Sequence, residues 1–350
     1  MRVLIRADAT QESGSGHVMR CAALAQRLRR AGAQADFVCA PLPGRLHDWL
    51  LRQSYGVHLL DPLDSGAPEG WRKDAQQTAQ LARALGAVDL LVVDHYGLDR
   101  RWETAMRPLV RRILAIDDLA DRDHDCDIVL DQNLHRDAPV RYLNRVPVST
   151  RRFVGPGYAL LREEFDDPAL LRARNGALRQ LLVFFGGTDP GNQSLKLVEA
   201  LRGMGTLAPQ TTLVLGPAHG HPAVVRALAS GLTGLTVLDA TDNMSAHMAQ
   251  ADLAIGTCGV AAWERCALGL PSLIVVTAEN QREDAQMLHA MGAVRNLGDA
   301  ADVQVSDWID ALQSLRTAPH RLQAMSVAAA QVMHGRSAAL AEFENTLLNG

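Results

Sequence analysis

The sequence of 350 residues lacks several features that would assign it to a common class of protein. It has no excess of one charge, because 35 basic and 39 acidic residues give a net charge of -4, so a nucleic-acid or membrane partner is not indicated. The five cysteines show no CxxC spacing, which argues against a disulfide framework or a thiolate zinc site. No apolar run has the length of a signal-peptide core or a membrane span. We therefore expect a cytoplasmic protein.

The sequence does contain short apolar runs that alternate with amphipathic segments of helical period, a pattern typical of βαβ units and parallel sheets. In the first half, it predicts strands at residues 3–6, 35–39, 58–60, 90–93, 113–116 and 128–130, and helices at residues 17–31 and 71–85. The pattern restarts after residues 153–165, and residues 318–348 read as helix. We therefore expect two α/β domains, residues 1–160 and residues 161–350.

Three glycine-bearing loops follow predicted strands, where open parallel sheets bind ligands. They are DATQESGSGH after the first strand, FFGGTDPGN from Phe184, and GTCGVAAWE from Gly256. In the last two loops, glycine lets the backbone approach a ligand, and the amides that open the next helix would face an anion such as a diphosphate. The alternative is that these glycines only permit tight turns between strand and helix.

His17 follows the first glycine loop and opens a predicted helix. The positive end of the helix dipole disfavours an imidazolium, so we expect a neutral ring that can accept a proton from water or a hydroxyl group. A purely structural histidine is the alternative.

Three further features carry weaker signals. Glu264 falls within two helical turns of the third loop, where a carboxylate can bind ribose hydroxyls; the alternative is a solvated helix charge that pairs with Arg265 or a neighbour. The alternating aspartates of DDLADRDHDCDIVLDQN resemble a calcium loop, but Cys126 and Gln132 replace the required glycine and glutamate, which excludes calcium. Cys258 precedes a helix, yet no histidine lies nearby in sequence, so packing is favoured over nucleophilic catalysis.

Several motifs, taken in order, resemble one family. RADATQESGSGHVMRCAALAQRL, VVDHYGLD, IDDLADRDHDCDIVLDQNL, GPGYALLREEF, FFGGTDPGN and ADLAIGTCGVAAWERCALGLP are similar to the UDP-2,4-diacetamido-2,4,6-trideoxy-β-L-altropyranose hydrolases of pseudaminic acid biosynthesis. The match runs from Arg6 to about Gln281. The resemblance implies a GT-B fold, two Rossmann-like domains facing a central cleft, related to the glycosyltransferase that makes lipid II.

The resemblance also implies a reaction and a set of site residues. Water would attack the anomeric carbon of a UDP-linked diacetamido-trideoxy sugar with inversion, and UDP would leave by C–O cleavage without a metal or cofactor. The first domain would supply His17 as the base and face the sugar, and the second would bind UDP. The implied UDP-binding residues are Gly187, Thr188, Asn192, Gly259, Val260 and Glu264. The implied sugar-binding residues are Gly16, Tyr96, Asn133, Tyr158, Asn280 and Gln281.

Two other functions compete with hydrolysis. A glycosyltransferase would use an acceptor hydroxyl in place of water, and a binding protein would hold the UDP-sugar without turnover. The segment PLPGRLHDWLLRQ is only modestly apolar, which favours water over a lipid-linked acceptor.

Overall fold

The computed structural model describes residues 1–10, 14–42, 46–63 and 69–349. Residues 11–13 of the first glycine loop and residues 43–45 of the PLPGRLHDWLLRQ segment lie outside the described residues. The chain divides into two compact units, Met1–Leu160 with Gly335–Gly350 and Leu161–His334. No helix in the described part of the chain is both long and apolar enough to cross a lipid bilayer.

The first unit is built on a seven-stranded parallel sheet. Its strands are β1 (Arg2–Ala7), β2 (Gln34–Cys39), β3 (Gly56–Leu59), β4 (Leu90–Asp94), β5 (Ile113–Ile116), β6 (Ile128–Asp131) and β7 (Arg151–Val154). Its helices are α1 (Gly16–Arg30), α2 (Leu46–Arg52), α3 (Gly70–Leu85), α4 (Arg100–Met106) and the C-terminal α12 (Arg336–Asn349). The strand order is β3-β2-β1-β4-β5-β6-β7, and every adjacent pair is parallel.

The central strand β1 is apolar on both faces because helices cover both sides of the sheet. Val3 and Ile5 pack into a core that includes α1, whereas Leu4 points to the other face and packs in the core that holds Trp102 of α4. This arrangement explains why the predicted strands read as continuous apolar runs rather than as alternating patterns.

The second unit contains a six-stranded parallel sheet of the order β10-β9-β8-β11-β12-β13. Its strands are β8 (Gln180–Phe184), β9 (Gln210–Val214), β10 (Leu235–Leu238), β11 (Leu253–Thr257), β12 (Ser272–Val276) and β13 (Val294–Asp299). Its helices are α5 (Gln193–Met204), α6 (Pro222–Ala229), α7 (Met244–Gln250), α8 (Val260–Ala267), α9 (Arg282–Ala290), α10 (Val305–Arg316) and α11 (Pro319–Val332).

Both sheets are doubly wound, with the chain changing direction at β1/β4 in the first unit and at β8/β11 in the second. Ligands of such sheets bind at this switch point, beyond the carboxyl ends of the strands. The three glycine loops follow β1, β8 and β11, so the topology places all three at a switch point.

The C-terminal segment differs from its prediction. The expected single helix is two helices, α11 and α12, separated around Gly335, whose φ of 79° is a left-handed conformation that suits glycine. Residues 335–350 were expected in the second domain, but α12 belongs to the first unit because Leu340, Phe343 and Leu347 fill its core. An apolar helix face does not specify in sequence which core it will join.

Candidate functional site

His17 lies in the first turn of α1, at the switch point of the first unit. Its ring is nearly buried, with 8% of the residue exposed. The Nδ1 atom lies 2.6 Å from Oδ1 of Asp94, which is the last residue of β4. The ring of Tyr96 meets the imidazole edge-on, with ring centroids 4.6 Å apart. These contacts hold the ring in one orientation.

The protonation of Asp94 determines which imidazole nitrogen is free. Burial alone would raise the pKa of Asp94, but Arg20 and His17 together hold it well below its usual range. Arg20 donates to both carboxylate oxygens, from Nε at 2.6 Å and from Nη2 at 2.7 Å. An ionised carboxylate can only accept, so Nδ1 of a neutral His17 carries the proton and Nε2 keeps the lone pair. The arrangement is that of a histidine base oriented by a carboxylate.

Asp118 ties the predicted sugar residues to the same group. It follows β5 and accepts from Nη1 and Nη2 of Arg20, at 2.8 and 2.9 Å. It also accepts from the Tyr96 hydroxyl at 2.8 Å and from Nδ2 of Asn133 at 2.8 Å. We call His17, Arg20, Asp94, Tyr96, Asp118 and Asn133 the histidine cluster.

Two other residues predicted to face the sugar have different surroundings. Gly16 begins α1 directly before His17 and therefore adjoins the histidine cluster. Tyr158 packs edge-on against Phe153, with centroids 5.2 Å apart, in a short 3-10 helix that lies against α12. The structure thus gives Tyr158 a place in the hydrophobic core around Phe153 rather than beside His17.

His95, the histidine of the VVDHYGLD motif, has both ring nitrogens in hydrogen bonds. Nδ1 accepts from the backbone amide of Gly97 at 2.9 Å, so Nε2 carries the proton and donates to Asp8 at 3.1 Å. Neither ring nitrogen is therefore left as a base.

The alternating aspartates of the calcium-like run have protein partners. Arg107 donates to Asp125 and to Asp127, and Asp127 also accepts from the Ile113 amide at 2.7 Å. These carboxylates connect the turn to neighbouring segments, which accounts for their spacing without a bound ion.

At the switch point of the second unit, no side chain in the described part of the chain caps the start of α8. Gly259 is the residue before its first turn, and Val260 opens the helix. Gln281, which was predicted to touch the sugar, lies near Gly259. Its Nε2 is 3.9 Å from the position that a Cβ of Gly259 would take. The Oε1 of Gln281 accepts from the Thr277 hydroxyl at 3.2 Å, whereas Asn280 is exposed. The uncapped amides of α8 are available to an anion.

The start of α5 is different and corrects an expectation. The carboxylate of Asp189 accepts from the amides of Gln193 and Ser194, both at 2.9 Å, so the first turn of α5 already holds an anionic group. Asn192, a predicted UDP residue, lies directly before this helix with a left-handed backbone and donates its amide to the Asp189 carbonyl. A diphosphate therefore has no open helix start at α5.

Gly187 and Thr188 lie in the turn that leads from β8 to this capped helix. The carbonyl of Gly187 accepts a hydrogen bond from the backbone amide of Ala218 at 3.0 Å. Gly216 packs so closely here that an added Cβ would lie 2.2 Å from the Gly187 carbonyl oxygen. These contacts fix the turn. Among the described residues, no acceptor receives a hydrogen bond from the amides of Gly187 and Thr188.

Glu264 is 9% exposed on α8. Burial raises the pKa of its carboxyl, an effect that Arg162, at 3.4 Å, partly opposes. Of the alternatives, the ion pair is present, but its partner is Arg162 and not Arg265, which donates to the Thr257 carbonyl. Glu264 is thus a buried carboxylate held by one long ion pair.

Cys258 is 1% exposed, and burial raises the pKa of its thiol well above the usual value. Desolvation therefore outweighs the lowering expected at a helix start, and a thiolate nucleophile is not supported.

Sequence reasoning missed Arg20 and the roles of Asp94 and Asp118. Arg20 follows His17 by three positions, so both side chains lie on one face of α1. Asp94 and Asp118 lie at or after the ends of neighbouring strands, which converge at one edge of a parallel sheet. The three-residue spacing of His17 and Arg20 and the strand-end positions of Asp94 and Asp118 were the signals that the sequence offered.

Parts of the sequence and the fold are similar to those of known proteins. Residues 181–340 match the glycosyltransferase family 28 C-terminal domain. The chain is 29% identical over 204 residues, 57% of its length, to UDP-2,4-diacetamido-2,4,6-trideoxy-beta-L-altropyranose hydrolase of Campylobacter jejuni. It is 25% identical over 318 residues to spore coat polysaccharide biosynthesis protein SpsG of Bacillus subtilis, covering 85% of this chain and 84% of that protein.

Two of these relatives are longer than the part that aligns. The match covers 66% of the Campylobacter hydrolase and 57% of an uncharacterized protein of Methanocaldococcus jannaschii, which is 24% identical over 81% of this chain. The chain therefore spans less than two thirds of the length of those two proteins.

The fold has close counterparts among solved structures. MurG of Acinetobacter baumannii superposes with a TM-score of 0.65 at 18% identity, covering 98% of this chain and 99% of that one. The chain has the GT-B fold, and residues 181–340 are similar to the glycosyltransferase family 28 C-terminal domain. The resemblance to the UDP-diacetamido-trideoxy-altropyranose hydrolases is confirmed by the similarity to the Campylobacter protein.

Proposed function

We propose that the protein hydrolyses a UDP-linked diacetamido-trideoxy sugar of the altropyranose type to UDP and the free sugar. The observation that carries this proposal is the pair formed by His17 and Asp94, which leaves one imidazole nitrogen basic. The name of the Campylobacter relative supports the choice of sugar.

In this proposal, the histidine cluster activates water. Nε2 of His17 takes a proton from water while the water oxygen bonds to the anomeric carbon from the face opposite UDP. Proton removal of this kind is worth ~10² to 10⁴ in rate. Tyr96 and Asn133, held by Asp118, contact the sugar and fix its position relative to His17.

The second unit binds the leaving group. Glu264 accepts hydrogen bonds from the ribose hydroxyls, and the amides at Gly187, Thr188, Gly259 and Val260 bind the diphosphate. As the bond between the anomeric carbon and the phosphate oxygen breaks, its electron pair stays with UDP. Amides that already face this oxygen stabilise the negative charge that develops there. A phosphate leaving group needs no proton, so His17 is the one proton-transfer residue in the proposal.

The experiment that tests the proposal measures UDP release from the UDP-sugar in the absence of any acceptor. We expect release by the wild type and loss of release in His17→Ala, with UDP affinity retained because His17 contributes to the chemical step. His320→Ala, which removes an exposed histidine of α11, is the matched control and should keep full activity.

The competing functions give different results in the same assay. A strict requirement for an acceptor would identify a glycosyltransferase, and binding without turnover would identify a sugar-nucleotide binding protein. In ¹⁸O-labelled water, label in the sugar is expected, whereas label in phosphate would contradict attack at the anomeric carbon.

A further inference from the structure

Arg265 is a buried arginine whose charge is not neutralised by the protein. It lies in the second turn of α8 and is 2% exposed. Its Nη2 donates to the carbonyl of Thr257 at 2.7 Å, and its Nε is buried without a hydrogen-bond partner. Among the residues that the structure describes, no carboxylate lies within ion-pair distance of it. Burying an unpaired cation is costly, so its presence needs an explanation.

The local packing is shaped around this guanidinium. Gly256 lies inside strand β11, and an added Cβ there would lie 3.0 Å from Nη1 of Arg265 and 2.4 Å from the Phe184 carbonyl oxygen. Gly256 was interpreted from the sequence as room for a ligand. The structure shows instead that the missing side chain makes room for Arg265 between β8 and β11.

Arg174 provides a contrast within the same unit. It is also buried and lacks a carboxylate partner, but it donates to four carbonyls, two of which belong to Leu268 and Gly269 at the C-terminal end of α8. The negative end of the helix dipole thus compensates Arg174. Arg265 has one carbonyl partner. Although Arg265 is in the last turn of α8, its guanidinium donates to the Thr257 carbonyl, which precedes the helix, and not to the carbonyls at the C-terminal end.

The position of Arg265 indicates what would compensate it. Thr257 is the last residue of β11, and Gly259, two residues later, precedes the uncapped first turn of α8. Consecutive Cα atoms are about 3.8 Å apart, so the Thr257 carbonyl lies within about 10 Å of the first α8 amide. An anion on those amides would lie in the field of a cation that bulk water does not screen.

We propose that Arg265 is the buried counter-charge for the diphosphate bound at the start of α8, acting through space and through the Thr257–Gly259 loop rather than by direct contact. This role rests on the proposed function, because it presumes a nucleoside diphosphate at this site. It makes Arg265 a positioning residue whose effect depends on the ligand's charge.

The test compares UDP with uridine, which has the same nucleoside and no phosphate. Calorimetry would measure both affinities in Arg265→Gln and Arg265→Lys, which are similar in length but differ in charge. In Arg265→Gln, we expect UDP to bind about tenfold more weakly, since a unit charge about 10 Å away acts on the phosphates at low effective dielectric. Uridine affinity should not change. Arg265→Lys should retain most of the preference for UDP.

Arg174→Gln is the matched control, because it removes a buried arginine at the other end of α8. A structural defect would weaken uridine and UDP alike, whereas loss of the counter-charge lowers only the ratio of the two affinities. An unchanged ratio in Arg265→Gln, or equal ratios in the Gln and Lys variants, would overturn the role of Arg265. Failure of the wild type to bind UDP at all would instead contradict the proposed function.

Discussion

The two units use their strand ends in opposite ways. In the first unit, the switch point is filled by charged side chains that fix one another, as Arg20 does for Asp94 and Asp118. In the second unit, the switch point presents glycines and the amides of α8, the Asp189 carboxylate occupies the start of α5, and the buried Arg265 donates to the Thr257 carbonyl. Proton transfer requires a side chain of fixed protonation, whereas holding a diphosphate requires donors without mobile charge. In the proposed function, the first unit therefore supplies the proton-transfer residue and the second unit binds the diphosphate.

A second contrast lies within the second unit. Helices α5 and α8 both follow strands at the β8/β11 switch point, yet Asp189 caps α5, whereas no side chain among the described residues caps α8. The start of α5 is thus closed to an anion and the start of α8 is open. The loop residues before each helix, rather than the position of the helix in the sheet, make this difference.

The largest expected effect comes from Asp94, because it orients the proposed base, His17. Asp94→Asn replaces the acceptor that holds Nδ1 of His17, so the ring can present the wrong tautomer. We expect kcat to fall by ~10² to 10⁴ while UDP affinity is retained. Steady-state kinetics and calorimetry check this.

Asp36→Asn is the control for that variant, since Asp36 pairs with His58 at 3.2 Å on β2, outside the histidine cluster. Normal kcat in Asp94→Asn, alongside an inactive His17→Ala, would show that Asp94 does not orient the base.

The charges of the first unit should also make its stability depend on pH. Burial alone would lower the pKa of His124, but Asp117 and Glu103 raise it to about 9. The charged ring therefore contributes stability fully below its ordinary pKa, near 6.5, and that contribution is lost as pH rises through 9. Urea unfolding between about pH 6 and about pH 10 should show the midpoint falling.

His124→Gln tests the assignment of that pH dependence. The variant is less stable at neutral pH because it loses the ion pairs, and its profile across the alkaline range is flatter. An equally steep profile in the variant would assign the effect to another group.

In the second unit, Glu264→Gln should separate binding from stability. The raised pKa of Glu264 means that the ionised carboxylate is disfavoured in the folded protein, so the neutral amide should raise the melting temperature without ligand. Uridine should bind about tenfold more weakly, because a charged acceptor of ribose hydroxyls is lost. Calorimetry and thermal unfolding measure the two effects.

Glu199→Gln, which changes an exposed glutamate on α5, is the control and should alter neither quantity. Unchanged uridine affinity in Glu264→Gln would remove Glu264 from the nucleotide site.

The smallest expected effect concerns Asp189, which caps α5 but has no counterpart at α8 among the described residues. Asp189→Ala removes the group that caps α5 and should cost about 1 kcal/mol of unfolding free energy. UDP affinity should not fall, because Asp189 is not among the proposed phosphate ligands. Chemical denaturation and calorimetry check both statements, and a large loss of UDP affinity would instead place a phosphate contact at Asp189.

Sequence reasoning reached the strands, the glycine loops and part of the site for identifiable reasons. Apolar runs and glycines report local structure, so the six predicted strands of the first unit and the loops after β1, β8 and β11 are all present. Tyr96 and Asn133 were expected near His17, and strand ends in a parallel sheet do converge there. Tyr158 has different neighbours because its packing against Phe153 depends on α12, which comes almost two hundred residues later in the sequence.

The amino-acid order alone determined the α/β class, the placement of a histidine at a helix start and the glycine loops used in the proposed nucleotide site, because period, turn chemistry and motif spacing are local properties. Tertiary structure decided which carboxylate orients His17, which helix start stays open and which core receives α12. Those outcomes depend on contacts between segments that are distant in sequence. Burial determines how much an unpaired charge costs there, and no local sequence pattern indicates which residue will be its partner.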